Sequence, residues 1–180
     1  MNSGSVLYAI DAENGKQLAE LHGGWASQTT VLSHDGSRLF LMDGGGWVHE
    51  YETTDWQPVR AWEAQESTAR GISISQDDSR LAVSGEDGLV VIWDLAADDP
   101  VMLDRIPVAG DRVSDIVWIG EDRMGAAALV GDLWEWQVVE LSAGAVVDEA
   151  IASLVRGFTP EECDTYAIEG CPTLEEIRNR

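Results

Sequence analysis

Apolar and polar residues alternate along most of this chain in runs of about four to eight, bounded by turn residues, a pattern of half-buried β-strands rather than helices. The run LSHDGSRLFLMDGGGWVHEYET from Leu32 and the run ISQDDSRLAVSGEDGLVVIWDL from Ile74 repeat that pattern at an offset of 42 residues without a gap. Each reads as strand, acidic turn, Ser-Arg-Leu, strand, glycine-bearing turn, strand. Asp35-Gly36 and Asp77-Asp78 make the first turns, Gly44-Gly45-Gly46 and Asp87-Gly88 the second, residue types that tolerate positive φ in tight hairpins. The units are therefore antiparallel hairpins, not strand-helix-strand crossovers.

A third copy, IVWIGEDRMGAAALVGDLWEWQVV from Ile116, matches with a slip of one residue: Trp136 follows Trp93 by 43, and Trp93 follows Tyr51 by 42. The aromatic marks the same strand each time. Near the N-terminus, SVLYAIDAENGKQLAEL matches WVHEYETTDWQPVRAW at an offset of 41, setting Asp11 on Glu52, and supplies only the last two strands of a unit. Such a period, with four short strands per unit, predicts an all-β fold of propeller blades, each a small twisted sheet whose faces neighbours must cover. The expected layout is a partial β-propeller over residues 1–146 (about three and a half four-stranded antiparallel blades, at 1–22 in part, 23–64, 65–108 and 109–146) and a tail over 147–180. Ile72, Ile74, Leu81, Val83, Val91 and Trp93 should lie on the stacked faces, so that Trp93→Ala unfolds rather than inactivates.

The tail changes period. Ile151, Leu154 and Val155 share a helical side before Gly157, and Thr159-Pro160-Glu161-Glu162 is a capping box with proline at the first helical position. Thr173-Leu174-Glu175-Glu176 repeats the logic, so three short α-helices are expected, anchored by Phe158 and Tyr166. Cys163 and Cys171, the only cysteines, both fall here. A bridge between them would contribute roughly 2 to 3 kcal/mol by chain entropy, whereas a cytosolic chain keeps thiols reduced, and both states stay open. Zinc needs further Cys or His at closer spacing.

Charge narrows the partners. Lys and Arg number 11 against 33 Asp and Glu, a net charge of −22, and no cluster of bases suits a phosphate backbone, so direct nucleic-acid binding is not expected. No apolar run approaches a membrane span and no basic leader opens the chain, which points to a cytoplasmic, unanchored protein. Eight Trp suit half-buried sheet surfaces.

Candidate chemistry is thin. His22, His34 and His49 are expected in a loop, a turn and a strand that do not converge, and Asp35, Asp77, Asp78, Glu121 and Asp122 recur at hairpin turns that explain them without an acid and base pair. Gly44-Gly45-Gly46 lies between strands rather than before a helix, so no phosphate cradle is expected. Neither catalytic residues, cofactor nor metal is assigned.

SGEDGLVVIWDL at Ser84 to Leu95, preceded by SQDDSRL, resembles the WD-repeat family, with Trp93-Asp94 as the eponymous dipeptide. The resemblance implies a non-catalytic binding scaffold and a buried set of turn Asp, strand Trp, Ser or Thr and His. Asp87 and Trp93 match, while Leu89 and Gln65 stand where Thr and His belong, so that network is expected to be broken. Asp87, Trp93, Asp94, Tyr51 and Trp136 are thus structural residues. SLVRGFTPEECDTYAIEGCPT resembles the ending of large actinobacterial proteins in which a WD-repeat domain follows a signalling module, which implies a signalling or regulatory setting, with a protein or the chain's own upstream domains as partner. LYAIDAENGKQL at Leu7 to Leu18 resembles the repeat of pyrroloquinoline-quinone propeller dehydrogenases, an enzymatic alternative. A third possibility is a self-assembling half-propeller, two copies of which form a homodimer and complete a ring.

Overall fold

The computed structural model describes residues 6–24, 29–141 and Glu175. The chain forms two compact units, Met1–Val139 and Glu140–Arg180. The helices expected over 147–180, with Cys163 and Cys171, lie outside the described residues, apart from Glu175.

Thirteen strands occupy the described part of the first unit and its junction: β1 (Val6–Ile10), β2 (Gln17–His22), β3 (Thr29–Leu32), β4 (Arg38–Met42), β5 (Trp47–Glu52), β6 (Pro58–Glu63), β7 (Ala69–Ile74), β8 (Arg80–Gly85), β9 (Leu89–Asp94), β10 (Val101–Pro107), β11 (Arg112–Trp118), β12 (Arg123–Val130) and β13 (Leu133–Glu140). They form four antiparallel sheets in chain order: β1-β2, β3-β4-β5-β6, β7-β8-β9-β10 and β11-β12-β13. Two sheets are complete four-stranded blades, the first holds two strands, and the fourth holds three among the described residues. Over Val6–Glu140 the described residues form an all-β partial propeller. His22, expected in a loop, instead ends β2, because the β1 register carries on to pair it with Val6.

The turns follow from their residues. Asp35 accepts hydrogen bonds from the Ser37 backbone N–H at 2.9 Å and from the hydroxyls of Ser33 and Ser37, both at 2.7 Å. Asp77 does the same with Ser75 and Ser79 one sheet later. Gly36 and Asp78, at equivalent positions, both adopt positive φ, 72° and 58°. A carboxylate so placed satisfies the turn's own donors, the reason Asp and Ser punctuate hairpins.

Strand burial sorts by place in the sheet. The second strands, β4 and β8, are buried on both sides and read as nearly unbroken apolar runs, Leu39-Phe40-Leu41-Met42 and Leu81-Ala82-Val83. The outermost strands β6 and β10 alternate with, or turn wholly toward, solvent. One core joins Phe40, Met42 and Val48 of the second sheet to Ile72, Ile74, Leu81 and Val83 of the third, with Trp62 and Trp93 packed edge to face at 6.2 Å. A second joins Leu7, Ala19 and Leu21 of the first sheet to Leu39, Leu41 and Tyr51. The innermost strands stack in turn, β7 lying against both β3 and β11. Gly71 permits that approach: a Cβ there would stand 3.0 Å from the Asp115 backbone.

Candidate functional site

The ends of the three inner strands enclose a cavity of about 490 Å³. Val31 and Leu32 close β3, Ser73 and Ile74 close β7, and Trp118 closes β11, so each wall is the last residue or two before a turn. Trp118 is fixed by β7: its backbone N–H donates to Ser73 Oγ and its indole N–H to the Ser73 carbonyl, both at 3.2 Å. The floor is apolar, with Leu32 and Ile119 about half exposed into it.

The rim carries His34, Asp77, Arg80 and Glu121. Arg80 lies 4.9 Å over the Trp118 ring, donates to the Glu121 carbonyl and stands 3.7 Å from Asp122. Its charge is thus already spoken for. The Ser75 hydroxyl, then the Ser79 hydroxyl and backbone, hold the Asp77 carboxyl down to about 2, so it stays ionised throughout the neutral range. Asp35 is likewise held down to about 2, by the Ser37 backbone and the Ser33 and Ser37 hydroxyls. For Asp78, burial opposes ionisation, but hydrogen bonds from His34 outweigh it and hold the carboxyl below its ordinary value. The opening is therefore an apolar pocket whose rim carries the carboxylates of Asp77 and Glu121 beside an Arg80 that is held by its neighbours.

None of this is arranged for nucleophilic catalysis. His34 Nδ1 lies 2.8 Å from Asp78 Oδ1, His49 Nε2 lies 3.2 Å from Asp43 Oδ2, and His22 stands 3.6 Å from Glu20. Each histidine faces a carboxylate, and among the described residues none is hydrogen-bonded to a hydroxyl. Nor do any three His, Cys, Asp or Glu of the described residues form a cluster that would hold a metal ion. Among the same residues no helix is long and apolar enough to cross a membrane. In the segment resembling quinone dehydrogenases, Asp11 is used by its own turn, accepting from the Glu13 backbone N–H at 2.8 Å.

The structure does not gather the residues singled out in the sequence at this cavity. Asp87 lies in the turn between β8 and β9, Trp93 and Asp94 on β9, Tyr51 on β5 and Trp136 on β13. Gln65, 2% exposed, points its amide at Asp87 Oδ1 over a long 3.4 Å, while the Trp93 indole donates to the Ala64 carbonyl at 3.1 Å, outside the Asp87 set. Asp94 accepts from the Ala96 N–H at 2.7 Å and shapes the next loop. Tyr51 donates to the His22 carbonyl at 2.9 Å, and burial pushes its phenol up. Trp136 differs from the other two aromatics, being 65% exposed.

Sequence reasoning passed over Glu50, which is 2% exposed on β5 and takes Arg60 Nε at 2.5 Å and Arg38 at 3.4 Å. Arg60 continues to the carbonyls of Leu95, Ala97 and Asp98, and Arg38 to that of Asp78, so this ion set ties the second sheet to the third. The signal was available: Arg38 and Arg80 occupy the same place in the Ser-Arg-Leu repeat, and each reaches a turn carbonyl of the next sheet.

No protein-family model matches the chain. Over 75 residues it is 29% identical to ASTRA-associated protein 1 of Penicillium rubens, a stretch that is 39% of this chain and 17% of that protein. It superposes on the crystal structure of RRP9 WD40 repeats with a TM-score of 0.52 and 18% identity, over 58% of this chain and 33% of that one. That likeness is one of fold, a partial propeller similar to part of the propeller built by WD40 repeats. The chain matches about one third of the WD40 chain and a smaller share of the fungal protein.

Proposed function

We propose that this chain is a non-catalytic protein-interaction scaffold, the propeller portion of a larger cytoplasmic signalling or regulatory protein, whose inner-strand cavity takes a basic, partly apolar segment of a partner or of its own upstream domains. The carrying observation is the apolar cavity walled by Leu32, Trp118 and Ile119 and rimmed by ionised Asp77 and by Glu121. Arg80 is engaged by its neighbours, so the rim's net field is negative and favours lysine or arginine. The partial identity to a protein named for its association with ASTRA is in keeping with binding to other proteins. The tail's resemblance to actinobacterial signalling proteins supplies the setting.

The test is fluorescence anisotropy with labelled peptides of about ten residues that mix Lys or Arg with Leu or Phe. Binding is expected to weaken as salt rises and to fall at least tenfold in Leu32→Asp, a half-exposed position that leaves the core intact. Equal binding of acidic peptides, or indifference to Leu32→Asp, would overturn the reading.

A further inference from the structure

Among the described residues His34 is the only histidine lining the cavity, and the neighbouring sheet pins it there. Its backbone N–H donates to both carboxylate oxygens of Asp78, at 2.9 and 3.0 Å, and its ring Nδ1 lies 2.8 Å from Oδ1 of the same group. Asp78 holds a positive φ of 58° in the β7–β8 turn, and its side chain is 16% exposed against 43% for His34. An ionised carboxylate accepts and cannot donate, so the hydrogen between the two sits on Nδ1. Proton uptake by the ring therefore takes place at Nε2 and adds a positive charge to the rim without breaking the link to Asp78. The other charged groups about His34 are Asp35 in its own turn, Asp77 in the β7–β8 turn, Arg38 and Arg80 opening β4 and β8, and Glu121 and Asp122 before β12. Asp35, Asp77 and Asp78 are all held below ordinary carboxylate values and stay ionised in the neutral range, and the arginines stay charged.

We propose that His34 sets the charge of this rim: the cavity takes a lysine- or arginine-bearing segment when the ring is neutral and loses affinity for it when the ring is protonated. This regulation rests on the cavity's being a site for basic, partly apolar segments. With the ring neutral, the charged lining residues are Asp77 and Glu121 against Arg80 alone. Protonated His34 brings a second cation, and the lining charges then balance. Histidine is the side chain whose charge ordinarily changes between about pH 5 and 8. One added charge at a partly exposed rim changes affinity for a cation by about threefold to tenfold. Binding and protonation oppose each other through one equilibrium, so a bound basic segment must equally oppose proton uptake by His34. The repeat supplies the contrast. At the 42-residue offset, Gln76 holds the place of His34 in the third sheet and also lines the cavity, with an amide that does not titrate.

Fluorescence anisotropy from about pH 8 to about pH 5.5 reads the effect, with a labelled peptide of Arg and Leu blocked at both ends so that its own charge is constant. Wild-type affinity should fall about threefold to tenfold on acidification. His34→Gln keeps the backbone bonds to Asp78 and carries the side chain that the next repeat has. Its affinity should match the wild type at the alkaline end and stay level to the acid end. In parallel the His34 ring, identified by its absence from spectra of the variant, is titrated by NMR, and saturating peptide should move that titration to lower pH. A wild-type profile that is flat or rises, a fall that His34→Gln retains, or a His34 titration that the peptide leaves in place overturns the proposal while leaving the cavity reading intact. Absence of binding at every pH overturns that reading and this one with it.

Discussion

Trp93 in the third sheet and Trp136 in the fourth fill the same place in the repeat, yet their surroundings differ. Trp93 pairs across the sheet with Leu81, shares its leading side, and packs on Trp62 of the second sheet. Trp136 shares a side with Gly125 and Val117 and is 65% exposed. The connection between β8 and β9 spans Glu86-Asp87-Gly88, whereas that between β12 and β13 spans only Gly131-Asp132. Since successive residues of a strand point to opposite sides, a turn one residue shorter carries the aromatic across the sheet. Equivalence in a repeat therefore sets the strand on which a residue lies, and turn length sets the side.

Trp93→Ala should give the largest effect, a loss of about 3 kcal/mol or more in urea unfolding, because it empties the junction of two sheets and orphans the Ala64 carbonyl. An effect no larger than that of Trp136→Ala would break the comparison. Glu50→Ala should cost about 3 kcal/mol by leaving the partly buried Arg38 and Arg60 without their carboxylate. In the third sheet Ile92 stands in place of Glu50 and pairs with Asp104, where Glu50 pairs with Arg60, so that ion set has no counterpart there. Raising salt to 1 M should leave most of the Glu50 effect in place; its disappearance would mean the pair is solvated.

Asp77→Asn should cost less than about 1 kcal/mol, since solvent screens a mostly exposed turn carboxylate. Its folded value, about 2, lies below the ordinary 3.8. The ionised form therefore stabilises the fold fully above roughly pH 4, and that contribution fades as pH falls toward 2. The difference between wild type and variant, followed by chemical unfolding from pH 7 down to pH 2, should shrink over that window. A difference that stays constant would show that the hydroxyls do not favour the charged form. Trp136→Ala should shift the stability of the monomeric chain by no more than about 0.5 kcal/mol.

Much of the architecture was legible in the sequence, because hairpin turns and strand alternation are local. Asp35, Asp77 and their flanking serines form the same hydrogen bonds in both repeats, and at the 42-residue offset Arg38 and Arg80 each reach a turn carbonyl of the next sheet. The cavity was not legible. Its walls come from Leu32, Ser73 and Trp118, which lie more than forty residues apart in succession and share no motif, and Glu50 looked like any other of 33 acidic residues.

The sequence by itself determined the strands, their hairpin order and the acidic turns, since each depends on neighbours within a few residues. Only the tertiary structure decided which sheet sides are covered, that Gln65 turns its amide to Asp87 while Trp93 reaches Ala64, and that Glu50 is buried between two arginines. Those outcomes depend on which sheet lies opposite, and the side-chain period of two makes them turn on a single residue of loop length.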